Sequence, residues 1–223
     1  MCGIVGYIGA RSAQDVVVKG LKRLEYRGYD SAGVAVILDA LKVTKCKGKV
    51  AKLEAMLSTS DKAEIGIGHT RWATHGEPND VNSHPHTSTN GKIAVVHNGI
   101  IENHRTIRAR LESAGHKFAS DTDSEVLAHL FLQAFDEGMT PEQAAASVLS
   151  RIEGAFALAA MPVGYPDMMI VARKAAPLAS GFGENASFIG SDAMALSHLT
   201  RDVIYLKDND FAIVRPEGAE VFD

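Results

Sequence analysis

The stretch MCGIVGYIG, residues 1–9, alternates apolar and small residues as a strand does, and it sets a cysteine directly behind the initiator methionine. Two readings of Cys2 stand side by side. Free cysteine is among the most buried residue types, so Cys2 can simply begin a buried strand. If Met1 is removed, Cys2 instead carries a thiol and a free α-amine on one Cα. An α-amine titrates near about 7.7–8.0 and a lysine amine near about 10.4, so poising a lysine equally takes roughly 3–4 kcal/mol of environment. A thiol is intrinsically nucleophilic and needs only a proton acceptor nearby. The residue at position two is small enough for methionine removal.

Working outward, residues 12–28 (SAQDVVVKGLKRLEYRG) place Val17, Leu21 and Leu24 at helical spacing and stop at Gly28. AGVAVIL (32–38) and KVTKCK (42–47) form the arms of a hairpin, VAKLEAML (50–57) a short helix, and EIGIGHTR (64–71) another strand. Residues 72–91 have no apolar periodicity, and a loop of that length in a compact domain is usually functional or disordered. KIAVVH (92–97) reads as a strand, residues 100–115 as a helix and KFA (117–119) as a brief strand. Thr122 with Glu125, and Thr140 with Pro141 and Gln143, match helix-starting capping boxes. From Ala155 onward the chain is strand-like in AFALAAM, MMIVARK, ASFIG, VIYLK and FAIVR, with AEVF closing a hairpin. Alternating strands with helices in pairs predict an α+β fold of antiparallel sheets covered by helices.

Composition narrows the chemistry. The 223 residues are 46% hydrophobic, with a net charge of -4 and scattered Lys and Arg, which fits one domain, residues 1–223, and offers no basic field for nucleic acid. No apolar run approaches a membrane span and the N-terminus lacks a signal-peptide pattern, so a cytoplasmic protein is expected. Cys2 and Cys46 do not make a disulfide framework, and Cys46 reads as structural.

Three further stretches can carry chemistry. His97-Asn98-Gly99 is either a hairpin turn, since Asn-Gly is the strongest short hairpin signal, or an oxyanion hole donating from the Asn98 amide and the Gly99 N–H. The sequence after it reads as helix, which disfavours the hairpin. Arg71, at a strand end in GHTRWATHGEP (68–78), has the fork to clamp a carboxylate, or is a surface ion-pair residue. Asp123 can hold an ammonium, or merely favour a helix N-terminus. His69, His75, His84, His86 and His97 raise a rival metal-hydrolase reading, but no HExxH, CxxC or spaced acidic ligand accompanies them.

MCGIVGYIG, LEYRGYDSAG (24–33), HTRWATHGEP (69–78), HPH, HNGIIENH and SDTDSE together resemble class II glutamine amidotransferase domains over nearly the whole chain. The YRGYDSAG and TRWATHGEP wording resembles the branch that serves a sugar phosphate. The resemblance implies an N-terminal nucleophile hydrolase fold, an αββα sandwich with two antiparallel sheets between helical layers. It implies Cys2 as nucleophile on the side-chain amide of L-glutamine, its α-amine as proton shuttle, and Asn98 and Gly99 as oxyanion donors. Arg71 matches a clamp for the substrate carboxylate and Asp123 a partner for its ammonium, with Thr74, His75 and His84 around the pocket. Trp72 matches a residue beside the ammonia exit, and Arg27 one that organises the loop next to Cys2. It implies no metal and no cofactor. It further implies that the parent chain carries a sugar isomerase domain and forms a homodimer, leaving this chain as its glutaminase half.

Overall fold

The structure, a computed structural model, describes residues 2–58, 62–72 and 77–223. Its first strand, β1 (Gly3–Gly9), is buried along its whole length. Side chains of a strand alternate between faces, so Ile4 and Ile8 point one way and Val5 and Tyr7 the other. A strand that is apolar on both faces needs a layer on each. That requirement builds the molecule.

In chain order β1 is followed by α1 (Ala13–Leu24), a 3-10 turn (Glu25–Arg27), β2 (Ser31–Ile37), β3 (Leu41–Lys47), α2 (Val50–Met56), β4 (Ile65–Arg71), β5 (His86–Thr87) and β6 (Ile93–Ile101). Then come α3 (His104–Ser113), α4 (Glu125–Asp136), α5 (Pro141–Leu149), β7 (Gly154–Pro162), β8 (Met169–Lys174), β9 (Ala179–Gly183) and β10 (Ala186–Gly190). The chain ends with α6 (Ala193–Leu196), β11 (Asp202–Tyr205), β12 (Phe211–Arg215) and β13 (Gly218–Phe222). One sheet runs β11-β9-β10-β1-β4-β2-β3 and the other β13-β12-β8-β7-β6-β5, with antiparallel ladders throughout.

Between the sheets lies a core in which Ile4, Ile8, Ile65 and Ile67 meet Ala94, Val96, Ala159 and Val171. On the outer face of the first sheet, α1, α2 and α6 bury Val17, Leu21, Leu53 and Leu196 against Val5 and Tyr7. On the outer face of the second, α3, α4 and α5 bury Leu111, Leu127, Phe131 and Val148 against Val95 and Leu158. The result is the expected αββα sandwich. Among the described residues no helix is long and apolar enough to cross a membrane.

Local readings fared unevenly. The α5 capping box forms as expected, with Thr140 Oγ1 accepting from Gln143 N and the Gln143 side chain returning to Thr140 N. The one expected at Thr122–Glu125 does not. Ser124 is the N-cap and makes no side-chain cap bond, because Thr122 faces His86 and the Glu125 carboxylate is drawn to Ala119 N, Ser120 N and Ser120 Oγ. The strand expected to end at His97 continues through Ile101, with Asn98 opposite Ala157 and Gly99 opposite Phe156, so helix α3 starts only at His104. Ladder pairing with β7 overrides the apparent helical pattern of Ile100 and Ile101. Residues 117–119 form no strand, and β9 and α6 carried no clear sequence signal. Cys46 is buried, as a structural residue should be.

Candidate active site

The parity that builds the inter-sheet core also gathers the site. Ile4, Ile67 and Val96 point between the sheets, and residues an even number of steps away along their strands point the same way. Cys2 precedes β1 in register with Ile4, His69 and Arg71 follow Ile67, and Asn98 follows Val96. All four therefore emerge where the inter-sheet layer opens at one end of the sandwich.

There the backbone N–H of Trp72 donates to Cys2 Sγ at 3.1 Å, and Asn98 Nδ2 donates to the Cys2 carbonyl at 3.1 Å. Burial pushes the Cys2 thiol up from its usual range, while the Trp72 contact and the Arg71 and Arg27 charges pull it back. Gly99, next to Asn98, has φ +126°, and a Cβ there would lie 2.0 Å from the Ala155 carbonyl oxygen. Only glycine fits this turned point of β6. Asn-Gly is thus a distortion inside a strand and not a hairpin turn.

Asp123 is buried just ahead of α4 and is fixed by Ile101 N, which donates to its Oδ2 at 2.8 Å. Ser124 Oγ lies 2.8 Å from His97 Nδ1 and 3.4 Å from Asp123 Oδ1. Arg71 is 4% exposed, deep enough that burial lowers its pKa, against which the charges of Cys2 and Asp123 act. Cys2, Arg71, His84, His97, Gly99 and Asp123 line one narrow polar cleft of about 20 Å³. On the other side of Cys2 opens an apolar recess of about 390 Å³, lined by Arg27, Trp72, Asn98, Ile100, Ala176 and Pro177. Trp72 is half exposed there and meets Tyr29 edge-on at 5.8 Å.

Arg27 was expected beside Cys2, but its partner Asp192 and a second support, Lys45, were not read from the sequence. Arg27 pairs with Asp192 at 2.9 Å and so holds the turn after β10, whose Ser191 accepts from Ile4 N and donates its own N–H back to Ile4 O. Lys45 Nζ reaches from β3 to the carbonyls of Val81, Ser83 and Pro85, pinning the segment that carries His84. That segment lies directly on β2, where a Cβ at Gly33 would sit 2.1 Å from His84 O. The glycine of the YDSAG motif is there to admit this backbone.

The histidine cluster divides. His86 Nε2 meets Thr122 Oγ1 at 3.0 Å and His97 faces Ser124, while His84 packs against His69 with ring centroids 4.2 Å apart. Burial lowers the pKa of all four. Among the described residues no three His, Cys, Asp or Glu side chains converge as metal ligands would. Thr74 and His75 lie outside the described residues.

A family model described as a glutamine amidotransferase domain matches residues 69–198, more than half of the chain. The chain belongs to the glutamine amidotransferase family. This amidotransferase domain is 48% identical over its whole length to the glutamine–fructose-6-phosphate aminotransferase (isomerizing) of Clostridium tetani, of which it covers 37%. It is 49% identical over 99% of its length to the protein of that name from Streptomyces coelicolor, of which it covers 36%. The amidotransferase chain therefore spans little more than a third of these curated relatives. A solved structure of glutamine phosphoribosylpyrophosphate amidotransferase from B. subtilis superposes with a TM-score of 0.83 at 28% identity, covering 99% of this chain and 49% of that one.

Proposed function

We propose that this chain hydrolyses the side-chain amide of L-glutamine through Cys2, giving glutamate and ammonia. The observation that carries this reading is the convergence on Cys2 of the Trp72 N–H, the Asn98 amide and the Arg71–Asp123 cleft at one open end of the sandwich. In this reading removal of Met1 frees the α-amine of Cys2, which accepts the thiol proton as Sγ attacks the amide carbon. The new C–S bond leaves an oxyanion, which Asn98 Nδ2 and the Gly99 N–H stabilise. Collapse expels ammonia, carrying the proton returned by the α-amine, and leaves a γ-glutamyl thioester. Water then adds to the thioester, the same donors hold the second oxyanion, and glutamate departs as the thiol is restored.

Recognition rests on the two head-group charges. Arg71 takes the α-carboxylate through its planar fork and Asp123 takes the α-ammonium, with His84 lining the wall and Thr74 and His75 as further candidates. The cleft is narrow, so the lining side chains move apart to admit the substrate. The apolar recess beside Trp72 is the route by which ammonia leaves, because it opens on the face of Cys2 away from the head-group cleft. By analogy with the relatives named above, the parent protein passes that ammonia to fructose 6-phosphate in a sugar isomerase domain.

The test is direct. With Met1 removal verified by intact mass, the chain should release glutamate from L-glutamine without sugar and regardless of chelator, and Cys2→Ala should abolish release in a protein that still melts cooperatively. Turnover retained in a folded Cys2→Ala protein, or lost on chelation, refutes the thiol mechanism.

A further inference from the structure

We infer that His69 is a positioning residue that fixes which way the Asn98 carboxamide faces, so that its NH2 and never its oxygen is presented at Cys2. The inference rests on the oxyanion role proposed for Asn98 and extends it by one residue.

The geometry settles both rings of the argument. His69 Nε2 lies 3.0 Å from the carbonyl oxygen of His97 and 2.9 Å from the Asn98 side chain. A carbonyl only accepts, so Nε2 must carry the hydrogen. The Asn98 atom facing Nε2–H must then be the acceptor Oδ1, which turns Nδ2 toward the reaction centre. The other end agrees, since the atom 3.1 Å from the Cys2 carbonyl must be the donor Nδ2. His69 is 1% exposed, and burial holds its ring neutral with a pKa of about 3. Among the described residues its Nδ1 has no hydrogen-bond partner, which fits a bare lone pair on that nitrogen. A flipped amide would put two acceptors against each other at Cys2 and two donors against each other at His69.

The consequence is catalytic. A carboxamide can rotate, and a flipped Asn98 would aim a lone pair at the developing oxyanion. Because His69 binds Oδ1, its hydrogen bond persists while Nδ2 leaves the Cys2 carbonyl for the oxyanion, and it polarises the amide in the helpful sense. Parity explains the pairing. Ile67 and Val96 meet between the sheets, and two residues further along their strands His69 and Asn98 meet in the same layer.

The experiment is a double-mutant cycle on glutamine hydrolysis by the full chain. His69→Phe should lower kcat by about 10- to 100-fold with KM changed less than about 3-fold, and should add less than about 3-fold when Asn98→Ala is already present. An equal loss in both backgrounds would make His69 merely structural and overturn the inference. Near-normal kcat in Asn98→Ala alone would sink the oxyanion reading itself, a distinct outcome. If His69→Phe does not fold, nitrogen-15 NMR of the histidine rings in the unmodified chain decides. A neutral Nε2–H tautomer for His69 at about pH 5 to 8 is expected, and an Nδ1–H tautomer or imidazolium overturns the assignment.

Discussion

Replacing Asn98 with alanine separates catalysis from folding, because the structure sets the two costs apart. In folding, Asn98→Ala removes the bond to the Cys2 carbonyl and the one from His69. Each is worth about 0.5–1.5 kcal/mol net, and His69 Nε2–H keeps the His97 carbonyl as acceptor, so no buried donor is orphaned. The loss of stability is therefore about 1–3 kcal/mol, or roughly 2–12 °C in Tm for a chain of this size. In catalysis, deleting one oxyanion donor costs about 10²–10³ in kcat, equivalent to roughly 2.7–4 kcal/mol, while the head-group contacts that set binding stay in place. The assay is glutamate release at saturating glutamine, paired with alkylation of Cys2 by iodoacetamide. Alkylation is a displacement at carbon with no oxyanion, so its rate should change by less than about 3-fold. Asn98→Asp gives a second reading, since it keeps an acceptor for His69 and loses the donor, and it should be as slow as the alanine variant. A folded Asn98→Ala protein with near-normal kcat, or one in which alkylation falls in parallel with hydrolysis, would refute the reasoning.

Arg71→Lys keeps the charge and loses the fork, so KM for glutamine should rise at least about tenfold, measured by initial rates; an unchanged KM would remove Arg71 from the carboxylate site. Glu125 supplies a pH prediction. Burial would raise its pKa, but the His129 ring 3.6 Å away and hydrogen bonds from the Ser120 hydroxyl and the Ala119 and Ser120 N–H groups outweigh that and hold it at about 2, below the usual 4.5. A carboxyl depressed in the folded state stabilises above its unfolded pKa, and that contribution is lost as pH falls from about 4.5 toward about 2. Glu125→Gln should accordingly lower Tm at neutral pH, and the gap to the unmodified chain should narrow through that window; a gap that stays constant would contradict it.

Much of this was legible in the chain itself. The alternation of apolar and small residues in GIVGYIG marked β1 as a strand. The 3.6-residue spacing of Val17, Leu21 and Leu24 marked α1, and Thr140-Pro141 with Gln143 marked the start of α5. These are local signals, carried by periodicity and capping within a few residues. The wording around Cys2, Arg71, Asn98 and Asp123 was equally legible as motif. What the sequence could not say is how these residues meet, because their contacts span tens of residues. Asn98-Gly99 reads locally as a turn, and only the ladder with β7 and the Ala155 carbonyl make it a bent strand with glycine obligatory. Thr122 and Glu125 read as a capping box until His86 and the 119–120 backbone claim them. His69, at the end of the strand read over 64–71, looked like one of five clustered histidines. Strand parity and the partner sheet place its Nε2 on Asn98, and burial removes its charge. Sequence by itself marked which residues are candidates for the chemistry, since residue type and local pattern are written there. The tertiary structure decided which hydrogen bonds orient them, because donors and acceptors far apart in the chain choose partners only when the two sheets close.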